Sequence, residues 1–181
     1  YICVAMPLFK RKVDVEEPSR GLMVSMDDYA VIASSYKVML ERLFRAVPNI
    51  TAEGSTFGGH SNGAHTTGVL LAAQDDYLLE HFRAFYLHEG GLGMLLANVL
   101  QKRSLRKARF LVMMGDKTPG GAAQEAPMIR LMRFIESFTT RAKLDFTYVV
   151  MRGYGHEQPP EYLAQIGQWA RGEPLASVPP R

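Results

Sequence analysis

Residues 59–63 read Gly-His-Ser-Asn-Gly, the pattern G-x-S-x-G, between a predicted strand and a predicted helix. A sharp turn in this position lifts the hydroxyl of Ser61 out of the sheet, while Gly59 and Gly63 leave room for the neighbouring strand and helix. The backbone N–H of Asn62 can then donate to an oxyanion that forms on a substrate carbonyl. The motif therefore predicts nucleophilic chemistry at Ser61. The simpler alternative is a tight glycine turn with no chemical role.

A histidine follows the last predicted strand, where residues 153–156 read Gly-Tyr-Gly-His. Serine is a poor nucleophile at neutral pH and needs a base with a pKa near 7, most often histidine. The glycines place His156 in a loop. In a parallel sheet the loops that follow the strands all lie at the edge formed by the C-terminal strand ends, so His156 is expected at the same edge as Ser61. The alternative is a histidine with a surface or packing role.

The elements that must position these residues alternate between short β-rich runs and segments with a 3.6-residue apolar period. The predicted strands are 1–6, 55–59, 82–87, 108–114 and 146–151. The predicted helices are about 25–47, 63–73, 92–100, 127–138 and 159–170. This alternation predicts an α/β fold, with a mostly parallel sheet covered by helices on both faces. No repeat or linker is visible, so residues 1–181 are expected to form one domain.

With these features the chain resembles the α/β-hydrolase superfamily, and within it esterases of the feruloyl esterase and polyhydroxyalkanoate depolymerase kind. The matching residues are segment 57–64, the acidic helix start Asp27-Asp28 and segment 154–156. The resemblance covers nearly the whole chain from about the fourth strand of the family fold. It implies that the chain lacks the first strands of that fold and is incomplete at its N-terminus. It also implies an ester substrate and a triad in the order serine, acid, histidine.

The acid of this triad has three alternatives. The family usually carries Gly-x-x-Asp after the corresponding strand, and that position falls on Thr118, two residues beyond Asp116. Asp116 is the first choice as the acid. Glu89 is the second, because some family members place the acid after the preceding strand. In the third alternative no acid is present, and the protein is a catalytically inactive hydrolase-fold protein that binds a ligand or partner.

The second oxyanion donor of the family comes from a loop after its third strand. If segment 1–6 corresponds to the fourth family strand, the chain does not contain that loop. If it corresponds to the third, residues 6–9 supply the donor. We prefer the fourth strand, because Met6-Pro7 resembles the way in which that family strand closes.

Composition excludes several other classes of protein. Hydrophobic residues make up 47% and charged residues 22%, which is typical of a globular chain. Cys3 is the single cysteine, so no internal disulfide can form, and no histidine pair has metal-ligand spacing, so no metal or other cofactor is expected. The net charge is +3, and the basic stretch 101–107 has no interleaved aromatic residues, so no nucleic-acid partner is expected. No apolar run approaches the about 20 residues of a membrane span.

Overall fold

The computed structural model describes residues 4–6, 29–51, 53–72, 76–93, 106–117 and 127–179. The order of helices and strands in this part is α1 (Tyr29–Ala46), β1 (Thr56–His60), α2 (Asn62–Ala72), α3 (Asp76–His81), β2 (Ala84–His88), β3 (Arg109–Gly115), α4 (Pro127–Arg141), β4 (Asp145–Met151) and α5 (Pro160–Ala170). Helix α5 begins where the two consecutive prolines predicted a start, with Pro159 as its N-cap residue.

The four strands form a parallel sheet in the order β1-β2-β3-β4. Its register aligns one phenylalanine from each strand: Phe57 lies beside Phe85, Phe85 beside Phe110, and Phe110 beside Phe146. The ring of Phe110 stacks on Phe85 at 5.4 Å and on Phe146 at 4.4 Å between centroids. Such pairs contribute about 0.5–1.5 kcal/mol each beyond their buried area. This aromatic row holds the strands in register and so holds their C-terminal ends along one edge.

Helices cover both faces of the sheet. Successive side chains of a strand point to opposite faces, and apolar side chains on both faces are buried under these helices. One face packs against α1, α2 and α4 through a core that includes Ile32, Leu40, Val69, Phe85, Phe110, Ile129 and Ile135. The other face packs against α5 through Leu111, Met113, Met151, Tyr162 and Trp169. The prediction of an α/β fold with a parallel sheet is confirmed. Both faces of β3 are buried, which explains its continuous apolar sequence.

Helix α1 is 18 residues long and amphipathic. Its side chains Ile32, Tyr36 and Leu40 are buried in the core, whereas Val31 and Val38 are exposed. These buried positions follow the 3.6-residue stripe from which the helix was predicted. None of the described helices is long and apolar enough to cross a membrane.

The structure differs from the sequence predictions at the N-terminal strand and in one helix. Residues 4–6 have no regular secondary structure and Val4 is exposed, so the prediction of a buried strand is wrong for this part. A short apolar run forms a strand only when another strand pairs with it, and none of the described strands pairs here. Helix α3 was not predicted, because its six residues are too few to show a helical period.

Other predictions fall outside the described residues. They concern residues 1–3 of the predicted strand, the loop 7–9, the helix start 25–28, residues 94–100 of a predicted helix, residues 101–105 of the basic stretch, and Thr118.

Candidate active site

Ser61 lies on a strained turn between β1 and α2. Its φ is +52°, a left-handed conformation that costs a residue with a side chain about 1–3 kcal/mol. The turn is held from both sides by main-chain hydrogen bonds. The Ser61 N–H donates to the His88 carbonyl of β2 at 2.8 Å, and the His65 N–H donates to the Ser61 carbonyl at 3.0 Å. The fold therefore fixes the backbone that carries the Ser61 hydroxyl.

The two glycines of the motif are not equivalent. A Cβ atom on Gly59 would lie 2.6 Å from the carbonyl carbon of Gly63 and 2.8 Å from its Cα, closer than real contacts allow. A Cβ atom on Gly63 would meet no described atom within 4 Å. The prediction that both glycines leave necessary room is therefore confirmed for Gly59 and corrected for Gly63. The helix backbone at Gly63 is what packs against Gly59, and its own side-chain position is open.

The loop after β4 brings His156 to Ser61, 95 residues away in sequence. The His156 Nε2 atom lies 2.7 Å from the Ser61 Oγ atom. The loop turns at Gly153, whose φ is +79°. Asp116, at the end of β3, accepts a hydrogen bond from the Gly153 N–H through Oδ1 at 2.7 Å. The serine and histidine that sequence reasoning paired are thus in hydrogen-bond contact.

Glu89 faces the other ring nitrogen of His156. Its Oε2 atom lies 3.4 Å from the His156 Nδ1 atom, and its Oε1 atom accepts a hydrogen bond from the Gly115 N–H. The Glu89 N–H donates to the Met113 carbonyl at 3.0 Å, and its φ is +56°. Burial raises the pKa of the Glu89 carboxyl, and the hydrogen bonds from Gly115 and His156 oppose this rise.

Of the two residues considered as the acid, the structure brings Glu89, the second choice, to His156 and does not bring Asp116, the first choice, into contact with it. Asp116 directs its carboxylate to the backbone of Gly153, whereas the left-handed backbone of Glu89 directs its carboxylate to His156. The sheet register contains a signal for this pairing. His60 and His88 are opposite each other, so the residues that follow them, Ser61 and Glu89, leave the sheet side by side.

Two further histidine rings lie behind His156, and sequence reasoning did not group them. The ring centroids of His60 and His156 are 5.0 Å apart, and those of His60 and His88 are 4.8 Å apart. His88 is fully buried, and neither of its ring nitrogens has a hydrogen-bond partner among the described residues. Burial, with smaller contributions from His60 and His156, lowers the pKa of His88 to about 4. Burial also lowers the pKa of His60.

The turn that carries Ser61 leads directly into the positive end of a helix, because Asn62 is the first residue of α2. A helix end of this kind favours negative charge beside it. The loop 7–9, considered above as the source of a second donor, lies outside the described residues. Across the described ranges, no group of three His, Cys, Asp or Glu side chains is arranged to hold a metal ion.

No family model, curated protein or solved structure matches the chain. Inference about function therefore depends on the geometry of the site. In that geometry the His156 imidazole lies between the Ser61 hydroxyl and the Glu89 carboxylate and contacts each of them through one ring nitrogen. An imidazole held between a hydroxyl and a carboxylate in this way can activate the hydroxyl as a nucleophile.

Gly59 and Gly63 differ in the space available for a side chain, so their replacement by alanine should affect stability differently. We expect Gly59→Ala to lower the free energy of unfolding by about 1–3 kcal/mol, because the added methyl group overlaps the Gly63 backbone. We expect Gly63→Ala to be neutral or to stabilise α2 by up to about 1 kcal/mol, because alanine favours a helix. Urea unfolding of both variants at pH 7 measures the difference. Equal destabilisation by the two substitutions would contradict the assigned packing.

The buried His88 predicts that acid weakens the fold. The unfolded chain takes up a proton at this side chain near pH 6.5, and the folded chain only near pH 4. The unfolded state therefore binds more protons between these values, so stability falls as the pH is lowered through that window. We expect the wild type to lose about 3 kcal/mol relative to His88→Phe between pH 7 and pH 4. Urea unfolding across the pH series measures this, and parallel curves for the two proteins would refute it.

Proposed function

We propose that the protein is a serine hydrolase with the α/β-hydrolase fold, which cleaves a carboxylic ester through an acyl-enzyme intermediate. The observation that carries this proposal is the line of contacts from the Ser61 hydroxyl through His156 to Glu89. Its two distances, 2.7 Å and 3.4 Å, join three residues from three different loops. A chance surface contact does not account for a strained serine turn, a paired imidazole and a buried carboxylate in one place.

In the proposed reaction, the Ser61 Oγ atom attacks the ester carbonyl while the His156 Nε2 atom takes the hydroxyl proton. Glu89 accepts a hydrogen bond from Nδ1 and stabilises the imidazolium that forms. His156 then returns the proton to the departing alcohol, and an acyl group remains on Ser61. Water, deprotonated by His156, attacks the acyl-enzyme and releases the acid. The chain needs no cofactor for these steps.

The negative charge that develops on the oxygen of the substrate carbonyl needs a hydrogen-bond donor that is already oriented toward it. We assign this role to the backbone N–H of Asn62, which directly follows the nucleophile at the start of α2. The positive end of α2 acts in the same direction, because it lies at the point where the charge develops. Such donors typically contribute about 2.7–4 kcal/mol to the stabilisation of the transition state.

The architecture supports the same assignment. Ligands of open parallel sheets bind beyond the carboxyl ends of the strands, and Ser61, Glu89 and His156 follow β1, β2 and β4 there. The order of serine before histidine along the chain is that of the α/β-hydrolases. The alternative of an inactive hydrolase-fold protein rests on the threonine at position 118, where the family has its acid, and on the open assignment of the second oxyanion donor. The carboxylate of Glu89 beside His156 supports the enzyme instead.

The proposal predicts that Ser61 reacts with an activated phosphonate. We expect a fluorophosphonate probe to add one label to each wild-type chain, because His156 deprotonates the hydroxyl as it attacks. The variant Ser61→Ala should remain unlabelled, and it should hydrolyse p-nitrophenyl acetate about 10³-fold or more slowly than the wild type. Intact mass and initial rates measure the two effects.

A matched control is Ser137→Ala, which removes another serine hydroxyl, one that donates to the Phe134 carbonyl on the exposed surface of α4. It should be labelled as the wild type is. Equal labelling of the wild type and Ser61→Ala would exclude an activated serine at this turn. A folded wild-type protein that takes no label would favour the inactive, ligand-binding alternative.

The proposal also predicts which carboxylate supports the histidine. We expect Glu89→Gln to lower kcat by about 10²–10⁴-fold, because an amide cannot stabilise the imidazolium as a carboxylate does. We expect Asp116→Asn to lower kcat by less than about tenfold, because its amide oxygen still accepts the Gly153 N–H bond. Steady-state kinetics on p-nitrophenyl acetate measure both. A larger loss for Asp116→Asn would restore Asp116 as the acid.

A further inference from the structure

His156 is a side chain that its two hydrogen-bonding neighbours do not fully position. It lies on a loop between β4 and α5, and its side chain is 59% exposed. Ser61 contacts one ring nitrogen and Glu89 the other. The ring is otherwise held only by its bond to Cβ on the loop, so movement of that loop or of the side chain can still tilt it. A third contact, on the face of the imidazole, limits this tilting.

The ring of His60 makes this third contact. Its centroid lies 5.0 Å from that of His156 with 37° between the ring planes, within the range of packed aromatic pairs. His60 is the last residue of β1 and directly precedes Ser61. Its backbone therefore belongs to the same strand that positions the nucleophile, so movement of one relative to the other is restricted.

His88 holds the ring of His60 from behind. It pairs with His60 in the sheet register, and its ring meets that of His60 edge-on at 4.8 Å and 71°. His88 is 0% exposed, so its ring cannot move without disturbing the core. The backbone of Glu157, one residue beyond His156, slightly opposes the lowering of the His88 pKa, and neither ring nitrogen of His88 has a hydrogen-bond partner within the described part. His88 thus packs against the side of His60 that faces the core.

We propose that His60 is a positioning residue, whose ring holds the imidazole of His156 in the plane that joins Ser61 and Glu89, with His88 as its rigid support. This inference rests on the proposed function, because it assigns His60 to the hydrolytic site. His60 takes no proton from the substrate and forms no bond to it. Its contribution is to keep the base oriented while the proton moves between Ser61 and the leaving alcohol.

The planar ring of His60, and not its Nε2 atom, carries this role. That nitrogen is buried and has no hydrogen-bond partner among the described residues. Replacement by phenylalanine therefore keeps the face that packs on His156 and loses no bond at Nε2. Leucine retains much of the volume without a planar face, and alanine removes both. The three substitutions separate packing by a ring from simple filling of space and from hydrogen-bond chemistry.

We expect His60→Ala and His60→Leu to lower kcat for p-nitrophenyl acetate by about ten- to a hundredfold, because a small misplacement of a catalytic group has effects of this size. KM should change little, because the proposed role of His60 is to orient the base and not to bind the substrate. His60→Phe should retain kcat within about threefold of the wild type. Equal loss in His60→Phe and His60→Ala would overturn the proposal, and so would wild-type activity in His60→Ala or equal activity in His60→Leu and His60→Phe.

A second measurement reads the position of the imidazole without turnover. The proton on His156 Nδ1, hydrogen-bonded to Glu89, is expected to give a low-field proton resonance that disappears in His156→Asn. We expect this signal to persist in His60→Phe and to broaden or vanish in His60→Ala and His60→Leu. His81→Ala, which removes a histidine stacked on Phe44 away from the site, serves as the control and should leave the signal unchanged.

These readouts separate failure of this inference from failure of the proposed function. If Ser61→Ala matches the wild type in hydrolysis, the proposed function fails, and the resonance still tests whether His60 orders the ring. A resonance unchanged in His60→Ala, in a wild-type protein that labels at Ser61, would refute the role of His60 and leave the hydrolase assignment intact. Loss of the resonance together with loss of kcat, both restored in His60→Phe, is the result that we expect.

Discussion

The site depends on the register between β1 and β2. This register sets His60 opposite His88, and the Ser61 N–H then donates to the His88 carbonyl at 2.8 Å. Ser61 and Glu89 each follow a member of that pair, and both adopt left-handed backbone conformations. The proposed nucleophile and the proposed acid therefore leave the sheet side by side, with room for one imidazole across them. A shift of either strand by one residue would turn the side chains of that strand to the opposite face and separate Ser61 from Glu89 along the edge.

The same register explains why the site can tolerate unfavourable local features. The strained backbones of Ser61 and Glu89 and the buried ring of His88 all reduce stability. A row of stacked aromatic rings across the sheet, centred on Phe110, and the continuous burial of β3 offset these costs. Strain and perturbed ionisation concentrated at one edge, above a well-packed core, are features typical of functional sites.

The end of β3 determines how the loop that carries His156 approaches the other strands. The Lys117 N–H donates to the Tyr154 carbonyl at 2.9 Å, and Asp116 binds the Gly153 N–H at 2.7 Å. A side chain at Gly115 would overlap the Tyr154 carbonyl, so the loop packs directly on the strand backbone. Asp116 thus acts on the proposed base through the main chain of its loop, while Glu89 contacts the ring itself.

The sequence by itself determined the features that depend on neighbouring residues. The apolar period of α1, the β-rich runs of β2 to β4 and the strand–turn–helix context of Ser61 are local patterns, and the described elements agree with them to within a few residues. The local apolar pattern wrongly predicted a strand at residues 4–6, because a strand forms only when another strand pairs with it. Only the tertiary structure placed Glu89, and not Asp116, beside the His156 ring and brought His60 and His88 behind it. Both acidic residues follow strands at the same edge, so this placement was decided by backbone conformation and by the Gly153 N–H that engages Asp116, contacts between residues far apart in sequence.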